Sequence, residues 1–214
     1  MTLGAEMDEY RAEEALIVVD MQPDFMPGGA LAVAGGDELV PGVAALMRRF
    51  PLVVATQDWH PPRHVSFATT HGQAPFEMRA LYGVPQTLWP DHCVQGTPGA
   101  AIHAGIPLDR ATLLLRKGNN PLVDSYSGFR ENIGPDGGRA PTGLAGWLRE
   151  RGVRRVYACG LARDFCVRFT LEDAAAAGFE AVLIDSLTRS VFPAQDDDTR
   201  ARLRAAGVQI VSHV

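Results

Sequence analysis

The chain has 214 residues, 46% of them hydrophobic, with a formal net charge of -5. That length suits one globular domain with a substantial core, while the acidic balance and scattered Lys and Arg exclude a basic nucleic-acid footprint. No apolar run approaches the roughly eighteen residues of a transmembrane helix, so the expected partner is a small soluble molecule.

Residues 1–14 are acidic and lack the apolar core of a secretory signal; they read as a loosely ordered N-terminal extension of a single domain spanning 1–214. Near-continuous apolar or β-branched runs follow at Ala15–Asp20, Leu52–Asp58, Thr112–Lys117, Arg155–Gly160, Ala181–Asp185 and Val208–Ser212. Continuous rather than alternating runs are the mark of parallel strands buried on both faces. Helical patterns lie between them at Glu38–Phe50, Thr142–Arg151, Asp164–Ala177 and Asp196–Ala206. The last two begin with carboxylates and end at Gly178 and Gly207, ordinary start and stop signals. The alternation predicts an α/β sandwich of three layers, with about six mostly parallel strands and helices on both faces. The stretch from Pro61 to Ile106 reads as long and irregular, a feature that in compact domains often marks function. Three cysteines, Cys93, Cys159 and Cys166, are too few and too odd in number for a disulfide scaffold and fit a reducing cytoplasm.

Polar groups gather at one edge of this scaffold. Asp20, Asp58 and Lys117 each end a predicted strand, and Cys166 follows the fourth; open α/β sheets bind ligands outside the carboxyl ends of their strands. Asp58 and His60, two apart at a strand end, point to the same side. With His64 beyond a Pro-Pro turn and His92 in a second loop, they offer the carboxylate-plus-imidazole set that suits Zn, Fe or Mn. The alternative is that Asp58 caps its turn and the histidines are solvated; the spacing does not choose. Cys166 sits where the first turn of a helix would favour its thiolate, or else it is a small buried hydrophobe. Asp20 could accept a proton if desolvated, or simply shape a turn. Lys117 could equally be an unremarkable surface residue. Each bland reading is adequate alone, but four reactive groups at one sheet edge favour function.

The segments "VVDMQPDF", "TQDWHPPRHVSFA", "LWPDHCVQGTPGA", "KGNNPLVDSYSGF" and "GLARDFCV" occur in that order. Together they resemble the nicotinamidase (pyrazinamidase) family of isochorismatase-like cysteine hydrolases, over residues from about 15 to 190. The paired DWH and WPDHC segments are the most specific part. The resemblance implies the isochorismatase-like fold and a metal-dependent amidohydrolase that converts nicotinamide to nicotinate and ammonia through a thioester, as a step of NAD salvage. Pyrazinamide would be converted to pyrazinoate. It further implies Asp20, Lys117 and Cys166 as the catalytic triad, with Asp20 the base and Cys166 the nucleophile. Asp58, His60 and His92 would be metal ligands, with His64 a weaker further one, and zinc the expected ion ahead of Fe2+ or Mn2+. Phe25, Trp89, Leu161 and Tyr126 would surround the substrate ring, and the N–H groups of Ala162 and Cys166 would form the oxyanion hole. A cis peptide is implied between Leu161 and Ala162. Arg163 departs from the family, many of whose members carry Thr there. A homo-oligomer is compatible with the sequence and not decided by it.

Three other readings stay open at this level. A related cysteine amidohydrolase could act on a carbamoyl or maleamate compound, against which the DWH and WPDHC pair stands. A metal-water hydrolase would not need Cys166. A zinc or ligand carrier without activity would leave Asp20, Lys117 and Cys166 together unexplained.

Overall fold

Along the first strand, β1 (Glu14–Val19), Leu16 and Val18 pack into one apolar cluster while Ala15, Ile17 and Val19 pack into another, so the sheet is buried on both faces. The computed structural model describes residues 10–213. Five further strands join β1 in one parallel sheet: β2 (Val53–Asp58), β5 (Leu113–Lys117), β6 (Arg155–Leu161), β7 (Glu180–Arg189) and β8 (Gln209–Val211), in the order β5-β2-β1-β6-β7-β8. Helix α1 (Val40–Met47) covers one face through Val43, Leu46 and Met47. Three helices cover the other: α3 (Leu144–Glu150), α4 (Arg168–Ala176) and α5 (Asp196–Ala205), through Leu144, Leu148, Leu171, Ala174 and Leu203. The expected six parallel strands and two helical layers are therefore present. The chain builds outward from β1 in one direction through β2 and β5, then crosses back to β6 and continues the other way. Strands β1 and β6 thus flank a topological switch point, whose carboxyl end is the natural ligand crevice. Among the described residues no helix is long and apolar enough to cross a membrane.

Two parts differ from expectation. Of the N-terminal extension, residues 1–9 lie outside the described residues, but Tyr10 stacks on Phe50 with ring centroids 3.5 Å apart and the Arg11 N–H donates to Glu14, so order begins before β1. The stretch 61–106 is not wholly irregular. It holds a one-turn helix, α2 (Ala68–His71), and an antiparallel hairpin of β3 (Met78–Leu81) and β4 (Val84–Thr87). The two residues turning that hairpin, Tyr82 and Gly83, both have positive φ, of 51° and 82°. Asn-Gly is the usual signal for such a turn, and Tyr-Gly hides it.

Candidate active site

Three strand ends converge on one ammonium group. Lys117, the last residue of β5, is 2% exposed, and its Nζ lies 2.8 Å from Asp20 Oδ2, 2.8 Å from Asp58 Oδ1 and 3.3 Å from Cys166 Sγ, with the Ser125 carbonyl at 3.0 Å. Burial works against the cation, but the Asp20 and Asp58 carboxylates outweigh it, so Lys117 stays protonated with its pKa well above the ordinary lysine range. Asp20 follows β1 with φ +46°, a conformation costing a non-glycine residue about 1 kcal/mol or more that turns its carboxylate into the crevice. There Oδ1 accepts a hydrogen bond from Thr56 Oγ1 at 2.6 Å. Oδ2, equally buried, is the oxygen paired with the Lys117 ammonium. Burial foremost, then Asp58, raises the Asp20 pKa against the opposing pull of Lys117.

Cys166 lies in a π-helical turn, Arg163–Val167, between β6 and α4, rather than in the first turn of an α-helix. Such turns recur at functional sites. Burial pushes its thiol well above the ordinary cysteine range, and the Asp20 and Asp58 carboxylates add to this while Lys117 opposes it. The thiol therefore favours its protonated form and lies within hydrogen-bond reach of the Asp20 carboxylate. Cys159, buried in β6, is pushed up to about 12 by burial alone and has no such neighbour. The turn is fed by Gly160, whose φ of +105° brings the backbone so close to β1 that a Cβ there would fall 2.2 Å from the Val19 carbonyl oxygen. The Leu161–Ala162 peptide that follows is cis.

The second constellation shares Asp58 with the first. Oδ2 of Asp58 lies 3.2 Å from His60 Nε2 and 3.4 Å from His92 Nε2, and ligand atoms of the three residues fall within 4.8 Å of one another. The other nitrogen of each ring faces a backbone carbonyl, His60 Nδ1 with Gly118 at 3.1 Å and His92 Nδ1 with Pro90 at 2.8 Å. A carbonyl can only accept, so each Nδ1 carries a proton and each Nε2 is the nitrogen that faces Asp58, free to present a lone pair to an ion there. One carboxylate oxygen and two imidazole lone pairs aimed at a common point are the donor set of a divalent transition metal, with the outer carbonyls fixing the rings. Gln22 locks Asp58 from behind: its Oε1 accepts the Asp58 N–H at 2.7 Å and its Nε2 donates to the Asp58 carbonyl at 2.8 Å. The His92 loop is tied down by Asp24, which accepts the Cys93 N–H at 2.7 Å.

His64 comes close but is used differently. Its ring lies 4.3 Å from that of His60, and ligand atoms of His60, His64 and Asp124 also fall within 4.8 Å. However, His64 Nε2 lies 2.9 Å from the Asn120 carbonyl and 3.2 Å from that of Val123, while Nδ1 pairs with Ser66 Oγ at 2.8 Å. Both nitrogens are engaged, and burial, followed by His60, lowers its pKa to about 4, so a neutral His64 braces the His60 ring.

A cavity of about 20 Å³ joins the two constellations, lined by Phe25, Trp89 and Tyr126 together with Asp58, His92 and Cys166. It holds about one water, so a ring-sized ligand requires its walls to part. Leu161 is not in the lining; fully buried, it packs into the core beneath, and Ala162 takes its place at the wall. Leu31, Asp124, Phe165 and Val191 also line the cavity and escaped the sequence reading. Phe165 and Asp124 stand within motifs already singled out, whereas nothing local marks Leu31 or Val191. A larger cavity of about 270 Å³ lies on the far side of Tyr126 and Asp124 and contains none of Asp20, Lys117 or Cys166.

Comparison with known proteins agrees with this geometry. The Isochorismatase domain family matches residues 14–213. The nicotinamidase of Acinetobacter baylyi is 46% identical over 200 residues, 92% of either chain. The nicotinamidase and pyrazinamidase structure from Acinetobacter baumanii superposes with a TM-score of 0.89 at 40% identity, covering 95% of this chain and 97% of that one. A pyrazinamidase of Pyrococcus horikoshii, solved in complex with zinc, does so with a TM-score of 0.76 at 40% identity, covering 93% and 98%. The matched span takes in all six strands of the sheet and Asp20, Lys117 and Cys166 at its carboxyl edge, and the chain belongs to the isochorismatase family.

Proposed function

We propose that the chain is a nicotinamidase, hydrolysing nicotinamide to nicotinate and ammonia, with pyrazinamide as a second substrate, in the salvage of the pyridine ring for NAD. The observation that carries this reading is the position of Lys117 Nζ, in contact at once with Asp20, Asp58 and Cys166, which joins a nucleophile-and-base pair to a metal-type donor set. Asp58, His60 and His92 would hold a divalent ion, zinc being the best fit to a one-carboxylate, two-imidazole set. Such an ion would supply a Lewis-acid partner for the ring nitrogen of the substrate. His64 stays outside this set.

The chain's own residues carry the chemistry. Asp20 takes the proton from the Cys166 thiol, and the thiolate attacks the amide carbon, while Lys117, 3.3 Å from the sulfur, balances the negative charge that has moved there from the carboxylate. The carbonyl electrons move to oxygen, and the N–H groups of Ala162 and Cys166 donate hydrogen bonds to the resulting oxyanion. As the C–N bond breaks, Asp20 returns its proton to the leaving nitrogen, releasing ammonia and leaving a thioester. Water then gives a proton to Asp20 and attacks the thioester carbon; the C–S bond breaks and the sulfur is reprotonated. Phe25, Trp89 and Tyr126 enclose the ring throughout.

Ammonia release assayed over a panel of amides, with metal analysis on the same sample, tests the reading; a protein that releases none from nicotinamide is not this enzyme. The ligand set and the base should separate on substitution. His92→Ala is expected to bind less metal and to show a raised KM with a lower kcat, whereas Asp20→Asn should keep its metal and lose kcat alone. Full occupancy in His92→Ala would take that residue out of the set. Gly118→Ala offers a milder check, because a Cβ at that position, where φ is +69°, would sit 2.4 Å from His60 Cε1. Displacing that ring should weaken metal affinity about tenfold with the fold intact, as loss of a residue supporting a ligand does. Titration with a chromogenic chelator reads the change, and unchanged affinity would mean that His60 does not need its present orientation.

A further inference from the structure

The π-helical turn that carries Cys166 is clasped to a defect in the neighbouring strand. Between β6 and β7 the register jumps, Ala158 pairing with Leu183 but Gly160 with Thr188, so β7 bulges by several residues opposite the end of β6. A bulge of this size takes backbone carbonyls out of the ladder, and buried carbonyls require donors. Thr188 Oγ1 donates to the Asp185 carbonyl and Arg189 Nη1 to that of Thr188, each at 2.9 Å, and Arg163, three residues before Cys166 and 6% exposed, adds a second donor to both. Its Nη2 donates to the Asp185 and Thr188 carbonyls, each at 3.1 Å, and its Nε to Thr188 Oγ1 at 2.8 Å. Two carboxylates neutralise the guanidinium: Asp185, whose Oδ1 lies 3.2 Å from Nε, and Asp196 at the start of α5, which pairs with Nη1. One rigid fork therefore spans β7 and α5, a task to which a lysine's single ammonium is unsuited.

We propose that Arg163 is a positioning residue for Cys166, fixing the turn against the β7 bulge so that the thiol stays between Asp20 and Lys117. This rests on the reading of Cys166 as the nucleophile. Arg163 touches neither the cavity nor the triad, and its influence runs through the backbone of residues 163–166. Asp164, in the same turn, accepts the Val191 and Phe192 N–H groups at 3.0 and 2.8 Å, and these two bonds to the cavity wall remain when the guanidinium is removed. Removing Arg163 should for that reason disturb the nucleophile more than substrate binding.

The test compares Arg163→Ala and Arg163→Lys with the parent holoenzyme, assayed well below their melting temperatures, with metal content measured on the same samples. Arg163→Ala is expected to lose about tenfold or more in kcat, with KM changed by less than about threefold and metal content unaltered. Guanidinium at a concentration that leaves the parent folded and active should restore several-fold activity to Arg163→Ala, and potassium chloride of equal ionic strength should not. Arg163→Lys, which keeps the charge without the fork, should also lose kcat. A residue that only stabilises the fold would lower the melting temperature and leave the kcat of the folded enzyme untouched. Hence a folded Arg163→Lys or Arg163→Ala with kcat within twofold of the parent overturns the proposal. So does failure of both variants to fold, which would assign Arg163 to the fold alone. Cys166→Ala in the same assay keeps the two ideas apart: turnover surviving there removes the nucleophile itself, whereas an inactive Cys166→Ala beside fully active Arg163 variants removes only the positioning role.

Discussion

Cys166→Ala should abolish ammonia release from nicotinamide while its metal content stays near that of the parent. The sulfur lies 3.3 Å from Lys117 Nζ and beside Asp20, whereas the imidazole nitrogens of His60 and His92 gather around the opposite oxygen of Asp58. Deleting the thiol thus removes the attacking atom and leaves the donor set whole. Loss of a covalent nucleophile commonly costs at least about a thousandfold in kcat, or roughly 4 kcal/mol of barrier. Cys159→Ala is the paired control, because that thiol is sealed in β6 with its pKa at about 12 and has no base beside it. It should keep most of the activity and lose only a little stability. If Cys166→Ala retained a tenth of the parent's turnover, a metal-bound water would have to be the nucleophile; if it lost its metal, the sulfur would have to be a ligand.

How much of this was legible in the sequence depends on how far apart the cooperating residues lie in the chain. Asp20, Asp58 and Lys117 could be placed at one sheet edge because each closes an apolar run long enough to be a buried parallel strand, and parallel strands end on the same side. The spacing of Asp58 and His60 gave a local hint of a metal site. His92 could be read only as one more imidazole in a second loop, and the resemblance was needed to choose it over His64, since no periodicity links it to β2. What could not be read is what depends on long-range contacts. The amide of Gln22 pins Asp58 from 36 residues away. Thr56 orients Asp20 over the same separation. The β7 bulge follows from how two strands register, so the role of Arg163 in filling it has no local signature. His64 and Leu161 show the converse. Both sit within specific motifs, yet one spends its ring nitrogens on Ser66 and backbone carbonyls, and the other points into the core. A motif marks the neighbourhood; packing decides which of its side chains faces the ligand.

Substrate structure alone tests what an ion at Asp58, His60 and His92 would do for binding. Nicotinamide carries its ring nitrogen meta to the carboxamide, and pyrazinamide also has a nitrogen at a meta position, so in either case a nitrogen held at the donor set leaves the amide carbon on the Cys166 side of the cavity. His92, Asp58 and Cys166 all line that one cavity, so a single ring admitted as its walls part meets both groups. Benzamide has the same shape and should meet Phe25, Trp89 and Tyr126 equally well, but it has no nitrogen to offer. If that bond sets the orientation, benzamide should be slower by at least about two orders of magnitude in kcat/KM, or about 2.7 kcal/mol, a modest share of the roughly 7–11 kcal/mol that positioning can provide. Isonicotinamide, with its nitrogen one place further round, should be poor for a different reason: it can reach the ion only by carrying its carbonyl away from the sulfur, so it should act as an inhibitor of nicotinamide turnover where benzamide does not. Steady-state kinetics on the four amides, with inhibition constants for the two slow ones, separates these effects. Equal turnover of benzamide and nicotinamide would show that the aromatic walls alone orient the ring, and the ion would then have to be assigned to holding the β2 end of the sheet in place.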